Sequence, residues 1–345
     1  MIFLMSSERS GSNMLRTIMA RHSQVSAPTS PHLVKTIIPI LAGYGDLDDK
    51  ANFRRLVDHV LEILCTQLGG WTVSFAADDI MASIRGRSFA ELFSLIYRME
   101  AEEQGKTLSF VKDNGNMLWP FHLHAMFPDA RFVYLVRDPR DCVLSWLNSP
   151  SHAGGIAAAT AMWQLEQTAV LSFIAVDAPR PPVLIVRYED LLANPESELD
   201  EICNFAGVTR EPTMTANFNS DVHRDEARRI ANWENVAGEI KRTNHGKFLD
   251  QLSRRQVRRI ERRLAFEMRV LGYEPVECSE PSSSTDIVGK LTRAFMGSIR
   301  LLFGGRQRRE ELAVRVRRLR SLRKIQADVR RNPQSLFTDR DRDED

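Results

Sequence analysis

The sequence predicts an α/β protein built on a central parallel sheet with helices on both faces. Four short runs are almost continuously apolar, as expected of strands that are covered on both sides. Between these runs lie stretches whose apolar residues have the spacing of an α-helix. An alternation of strands and helices favours parallel pairing of the strands. The four predicted strands are residues 2–7, 108–112, 131–137 and 183–188.

Helices are predicted after the first, third and fourth of these strands. Pro195 stands at a good first helical position, and Gly272 is a suitable residue to end the last helix. The segment 34–99 is mostly helical in pattern, clearest over 52–68, and we expect it to cover the sheet on the substrate side. The other predicted helices are 13–22, 141–148, 157–176, 194–206 and 253–271.

Composition places the chain among ordinary globular proteins. With 345 residues, of which 43% are hydrophobic, it can bury a large core without disulfides or metals. The four cysteines form no C-x-x-C pair, which argues against a zinc site and favours a reducing compartment. No apolar run approaches the roughly 20 residues that a membrane span needs. No signal peptide is recognised, so we expect a cytoplasmic protein.

The net charge of +2 is unevenly distributed. Residues 286–345 carry 16 Lys/Arg and 9 Asp/Glu, a net charge of +7, whereas the preceding 285 residues carry −5. An acidic body disfavours nucleic acid as the partner of the whole protein. We expect a folded domain over 1–277, a polar linker over 278–286, a basic helical extension over 287–330 and a disordered charged tail over 331–345.

The basic extension admits three interpretations. Leu312, Val316, Leu319 and Leu322 follow roughly helical spacing between arginines. The segment is an amphipathic helix on an anionic membrane surface, a binding element for a protein partner or a nucleic acid, or a solvated helix. The first interpretation would make the protein peripheral to a membrane.

The strongest motif, SSERSGSNML, follows the first strand at residues 6–15. A strand that turns through Ser-Gly-Ser into a helix presents free N–H groups and the positive end of the helix dipole, which together cradle phosphate. Gly11 permits close approach of the backbone. Ser10, Ser12 and Asn13 are able to cap the helix and to donate to phosphate oxygens. By itself, this motif does not distinguish a phosphate-binding site from an ordinary strand-to-helix turn.

A second motif, FVYLVRDPRDCVLSW, occupies residues 132–146. Arg137 stands at the carboxyl end of a strand, where α/β sheets bind their ligands. Ser145 lies two turns along the following helix, so that the two side chains are able to hold one phosphate with a charged fork and a hydroxyl. The alternative is an Arg–Asp turn on the surface.

Together, the two motifs resemble the PAPS-dependent sulfotransferases, in which PAPS is 3′-phosphoadenosine-5′-phosphosulfate. The first is similar to the family's 5′-phosphosulfate loop and the second to its 3′-phosphate motif. The resemblance extends from residue 1 to about 275, and implies a P-loop-NTPase-like sulfotransferase fold over 1–277. Weaker similarities to the bacterial and tyrosylprotein branches are FPDA at 127–130, VRYEDL at 186–191 and LGY at 271–273.

The resemblance implies transfer of a sulfuryl group from PAPS to a hydroxyl or amine, with release of 3′,5′-ADP. Arg9 takes the place of the catalytic cation, and Lys247 falls in a loop that closes over the nucleotide. No metal is implied, because a sulfuryl group carries less negative charge than a phosphoryl group. The residues implied to bind PAPS are Arg9, Ser10, Gly11, Ser12, Asn13, Met14, Arg137, Ser145, Tyr188 and Lys247.

The sequence offers two candidates for the general base. The segment PTSPHL at 28–33 resembles one in which the family carries a catalytic Glu, and the resemblance implies that Ser30 stands at that position. His32 lies nearby and titrates near neutrality, so it is the first candidate, with Asp113 second. Lys112 is a candidate for orienting the acceptor or for binding sulfate. The other histidines, His152 among them, show no pattern that assigns a role.

Two other function classes stay open. One is a small-metabolite kinase, which the missing G-x-x-x-x-G-K-S/T pattern disfavours. The other is a non-catalytic module that binds a phosphonucleotide. The acceptor is left open among small molecules, carbohydrates, lipids and peptides, since its contacts follow no short code.

Overall fold

The computed structural model describes residues 1–66, 71–149, 152–176, 181–215, 242–276 and 306–331, with side chains in the last segment at 314 and 316–331. Within these residues a five-stranded parallel sheet has the order β2-β3-β1-β4-β5, which confirms the predicted α/β class. The two-residue edge strand β2 was not predicted, because it is too short to show a pattern. The strands are β1 Ile2–Ser6, β2 Val25–Ser26, β3 Leu108–Lys112, β4 Arg131–Val136 and β5 Val183–Arg187.

Helices cover both faces of the sheet. Alternate residues of β1 enter two different cores, with Phe3 packed among the helices of the 34–99 segment and Leu4 packed on the opposite face against Leu15. The helices are α1 Ser12–Ala20, α2 Leu33–Ile37, α3 Lys50–Cys65, α4 Ala77–Ser83, α5 Phe89–Glu103, α6 Pro120–Met126, α7 Pro139–Leu147, α8 Gly155–Ile174, α9 Tyr188–Ala193, α10 Pro195–Ala206, α11 Phe248–Gln251, α12 Arg254–Arg263, α13 Ala265–Val270 and α14 Arg306–Arg331.

The helix predicted over 253–271 is interrupted. Leu264 leaves helical geometry with φ −104° and ψ 16°, so that α12 ends before it and α13 begins after it. Apolar residues keep their spacing across the break, and the sequence pattern therefore did not reveal it. Gly272, the predicted terminating residue, has a φ of +71°, the left-handed conformation that favours glycine.

Helix α14 packs against the segment between β2 and β3. Ile325 and Val329 are buried, and Arg55 Nε lies 2.8 Å from Asp328 Oδ2. One face of this basic helix is thus part of the folded body. The predicted linker over 278–286, the part of the predicted extension before residue 306 and the tail beyond residue 331 lie outside the described residues. Among the helices that are described, none combines the length and the apolarity needed to cross a membrane.

The register of the central strands sets the position of the site. Ser6 of β1 lies beside Leu135 of β4 in a parallel pairing. Both strands therefore end at the same edge of the sheet, and the segments that follow them start side by side. The loop after β1 leads into α1, and Arg137 follows β4. Ligands of α/β proteins bind at this carboxyl edge.

Candidate active site

The loop between β1 and α1 is tightly curved. Arg9 and Gly11 have φ of +74° and +91°, and the Ser10 amide donates to the Ser7 carbonyl at 3.2 Å. A Cβ at Gly11 would collide with the ring of Tyr188. Glycine is therefore required here both for its backbone conformation and for the close approach of the loop to Tyr188.

Arg137 is held at the end of β4 by groups from three segments. Its Nη1 donates to the Arg9 carbonyl at 3.1 Å and its Nη2 to the Asn244 carbonyl at 3.0 Å. The guanidinium lies over the Tyr188 ring, 4.4 Å from its centroid. The Nε atom is buried and has no hydrogen-bond partner in the structure. A buried guanidinium with a free donor is suited to bind an anion.

A hydrogen bond joins the two predicted motifs. Arg9 Nε donates to Ser145 Oγ at 3.0 Å, although 136 residues separate them. Ser10 Oγ and Cys142 Sγ are 3.4 Å apart. Burial, followed by the charge of Arg137, lowers the pKa of Arg9. The structure thus brings together Arg9, Arg137 and Ser145, the three side chains that the sequence assigned to opposite ends of one nucleotide.

The segment 244–248 closes one side of this cluster. Asn244 Nδ2 donates to the Tyr188 hydroxyl at 2.7 Å, and Lys247 Nζ donates to Asn244 Oδ1 at 2.6 Å. The carboxylate of Asp141 accepts from the amides of Gly246 and Phe248 at 2.6 and 3.1 Å. Asp141 therefore fixes this segment beside Arg137, a role that the sequence did not show.

His32 is placed differently from the sequence expectation. Its Nδ1 lies 3.3 Å from Arg318 Nη2, and a guanidinium can only donate, so Nδ1 must accept. Neutral imidazole has one accepting nitrogen, and here it is occupied. Burial lowers the pKa of His32 well below 6.5, helped by the charges of Arg318, Lys112 and Lys35. This arrangement disfavours the predicted role of His32 as base.

Asp113, the second candidate base, anchors α2. Its carboxylate accepts from the amides of Gly115 at 2.9 Å, Val34 at 3.2 Å and Lys35 at 3.4 Å. Burial raises its pKa even though these amides favour the ionised form. A carboxylate held by three amides is suited to bracing the start of α2.

A polar cluster beside Arg9 was not predicted from the sequence. Glu8 Oε2 lies 2.6 Å from His152 Nε2, and Asn114 Nδ2 donates to Glu8 Oε1 at 2.9 Å. Lys112 Nζ donates to Asn114 Oδ1 at 2.7 Å, and burial lowers the pKa of Lys112 to about 8. Glu8 lies within the first motif and Lys112 was a candidate for orienting the acceptor, but the contact of Glu8 with His152, 144 residues away, leaves no local signal in the sequence.

No group of three or more His, Cys, Asp or Glu side chains able to hold a metal ion occurs in the part of the chain that the structure describes.

Comparison with protein families decides the class of the chain. The model of the Sulfotransferase family, Sulfotransfer_3, matches residues 2–212. The chain belongs to the sulfotransferase family. This match confirms the resemblance seen in the two motifs and includes the loop after β1, Arg137, Ser145 and Tyr188. Among curated proteins, no sequence matches the chain.

Several solved sulfotransferases are similar to the chain at low identity. The sulfotransferase domain of the Synechococcus PCC 7002 olefin synthase is 20% identical, with a TM-score of 0.45, over 86% of this chain and 94% of its own. The domain from the curacin biosynthetic pathway is 19% identical, with a TM-score of 0.43, over 86% of this chain and 96% of its own. Sulfotransferase STF9 from Mycobacterium avium is 12% identical, with a TM-score of 0.40, over 79% of this chain and 77% of its own.

Proposed function

We propose that this sulfotransferase takes its sulfuryl group from PAPS and transfers it to a hydroxyl or amine, releasing 3′,5′-ADP. The observation that carries the proposal is the hydrogen bond from Arg9 to Ser145, with Arg137 against the backbone of Arg9. Two anion-binding segments at neighbouring strand ends are thereby joined into one site. A nucleotide with a phosphate at each end fits such a site.

The residues of the site suit the two ends of PAPS. At the 5′ end, the first amides of α1 have no partners within the helix and carry the positive end of its dipole. At the 3′ end, Arg137 offers its buried, unpartnered Nε. Ser145 Oγ accepts from Arg9, which leaves its hydroxyl hydrogen free for a phosphate oxygen.

The proposed reaction forms no covalent bond between the protein and the transferred group. PAPS supplies an activated sulfuryl group and a phosphate leaving group. In such a transfer, positioning and stabilisation of charge account for most of the rate. Arg9 is always ionised and donates from several N–H groups, so it is suited to neutralise the negative charge that develops on the leaving phosphate.

Thermal-shift measurements with 3′,5′-ADP, 5′-AMP and ATP test the donor. A ligand that binds the native state raises its melting temperature. We expect 3′,5′-ADP at about 100 times its Kd to stabilise the protein by about 2.7 kcal/mol, and 5′-AMP to have little effect. Arg137→Ala should remove the preference. A stronger response to ATP with Mg²⁺ would favour a kinase instead.

A transfer assay with ³⁵S-labelled PAPS and a cell extract as acceptor tests catalysis. We expect Arg9→Ala to lower transfer by about 10²–10³-fold, as the loss of a transition-state donor does in other enzymes. Arg98→Ala, which removes an exposed guanidinium on α5 paired with Glu102, is the control and should act like wild type. Binding of 3′,5′-ADP without any transfer would favour the non-catalytic module.

A further inference from the structure

Glu8 occupies an unusual place in the site. It directly precedes Arg9, the proposed catalytic cation, in the curved loop after β1. A carboxylate in an anion-binding loop opposes the binding of a negatively charged donor, so its presence needs a reason. The side chain is 23% exposed, and it is therefore accessible to an incoming acceptor.

Three segments hold the carboxylate of Glu8. His152, from the turn between α7 and α8, lies 2.6 Å from Oε2. Asn114, just after β3, donates to Oε1 at 2.9 Å, and Lys35 of α2 lies 3.4 Å from the same atom. Burial alone would raise the pKa of Glu8, but the hydrogen bond with His152 and the charges of Lys35 and Lys112 hold it well below 4.5. The group is thus a carboxylate at neutral pH.

His152 is itself fixed in place. Its Nδ1 lies 2.8 Å from Ser149 Oγ, and its ring centroid is 4.1 Å from that of Trp146. An ionised carboxylate only accepts hydrogen bonds, so His152 Nε2 must donate to Glu8. The imidazole therefore orients the carboxylate, and its own nitrogens are both occupied.

The other candidates near the site are less suited to accept a proton. His32 Nδ1, the one accepting nitrogen of the neutral ring, already accepts from Arg318. Asp113, held by three backbone amides, is only 2% exposed, whereas the Glu8 side chain is 23% exposed. Ser30 has no side-chain group that accepts a proton near neutrality. Glu8 is an ionised and partly exposed carboxylate next to the proposed catalytic cation.

We propose that Glu8 is the general base for the acceptor and that His152 is the residue that positions it. This inference rests on the proposed function. The acceptor hydroxyl donates its proton to a Glu8 oxygen while its own oxygen forms the new bond to sulfur. The bond from sulfur to the bridging oxygen breaks, and its electron pair stays on the 5′-phosphate of 3′,5′-ADP beside Arg9. Glu8 then returns its proton to water.

The weak basicity of Glu8 is compatible with this role. In a loose transition state, little bonding between the nucleophile and sulfur has formed. The nucleophile therefore loses its proton late in the reaction, and a strong base is not needed. Protein kinases likewise use an aspartate to accept the proton of the substrate hydroxyl. Placement of the carboxylate within hydrogen-bond reach is the stricter requirement.

Four variants test the inference, with ³⁵S transfer from PAPS to a cell extract and calorimetric 3′,5′-ADP binding as the two measurements. We expect Glu8→Gln to lower transfer by about 10²–10⁴-fold, the usual contribution of a general base, with an affinity for 3′,5′-ADP that is unchanged or higher. Glu8→Asp should recover part of the rate. His152→Ala should lower transfer, and His152→Gln, which keeps an N–H donor, should restore most of it.

The controls separate this inference from the proposed function. Glu102→Gln and His122→Ala, at exposed sites on α5 and α6, should leave both measurements unchanged. Normal transfer by Glu8→Gln would overturn the assignment of the base and leave the sulfotransferase proposal standing. Equal loss in His152→Gln and His152→Ala would overturn the positioning role. Absence of 3′,5′-ADP binding in the wild type would instead remove the proposed function itself.

Discussion

At the scale of single residues, backbone strain marks the site. Among the described residues, Arg9 and His32 are the non-glycine residues with positive φ, at +74° and +62°. Such a conformation costs about 1–3 kcal/mol and persists where the surroundings enforce it, often at functional sites. For Arg9 the enforcing contacts are the bonds to Ser145 and Arg137. The strained loop and the cluster of Arg9, Arg137 and Ser145 therefore depend on the same contacts.

Gly11→Ala should disable the loop, because φ is +91° and the added methyl group would meet the Tyr188 ring. We expect a loss of about 1–3 kcal/mol in the free energy of unfolding and at least tenfold weaker binding of 3′,5′-ADP. Thermal denaturation and calorimetry measure the two effects. Gly105→Ala is the matched control, since its φ is +66° but nothing lies within 4 Å of the new methyl group. If both variants bind 3′,5′-ADP equally well, the close approach to Tyr188 is unimportant.

The sequence predicted the residues of local motifs and missed the contacts between distant ones. Arg9 and Arg137 lie in strand-to-helix turns, and Ser145 lies in the helix that directly follows the second turn, so each belongs to a local motif that the sequence shows. Contact between Glu8 and His152 depends on the course of the chain between α7 and α8, and no local pattern encodes it. The contact of His32 with Arg318, 286 residues away, depends likewise on where α14 docks.

At the scale of elements, strands were easier to predict than the packing of helices. The first predicted strand, 2–7, differs from β1 by one residue, because a strand covered on both faces has a continuous apolar run. The apolar spacing of α14 was compatible with a membrane surface, a protein partner or water. The structure places Ile325 and Val329 in the core. A membrane or a protein partner is therefore able to contact only the exposed face of α14. Binding by that face stays a prediction.

Val329→Asp should release α14 from the body, because it would bury an unpaired charge against Gly43. We expect a loss of about 2–4 kcal/mol, seen as a lower urea midpoint, and faster proteolysis within 306–331. Leu319→Asp introduces the same charge on the same helix at a side chain that is 55% exposed. It should change stability by no more than about 0.5 kcal/mol. Equal effects of the two variants would show that α14 is not docked as described.

At the scale of the whole molecule, helix α8 ties the loop after β1 to the core. Gln167 Nε2 donates to Ser7 Oγ at 2.7 Å, and Glu166 is hydrogen-bonded to the same serine. Tyr134 of β4 donates to Gln167 Oε1. A buried polar network that joins the loop after β1, strand β4 and helix α8 thus supports the site from within the body of the protein. Such networks fix one arrangement when every member is satisfied, and they are costly when a member changes charge.

Glu166 should make this support depend on pH. Burial raises the pKa of Glu166 from 4.5 to about 8. Between pH 4.5 and about pH 8, Glu166 is therefore ionised in the unfolded chain and protonated in the folded chain. Stability therefore falls as pH rises through this window and levels off above about 8, with a total change on the order of a few kcal/mol. Glu166→Gln removes the ionisation, so its urea midpoints from pH 5 to 8.5 should fall less than those of wild type, while exposed Glu102→Gln should follow wild type. If the urea midpoints of wild type and Glu166→Gln change with pH in parallel, Glu166 ionises normally in the folded protein. The group that supports the loop after β1 would then be charged.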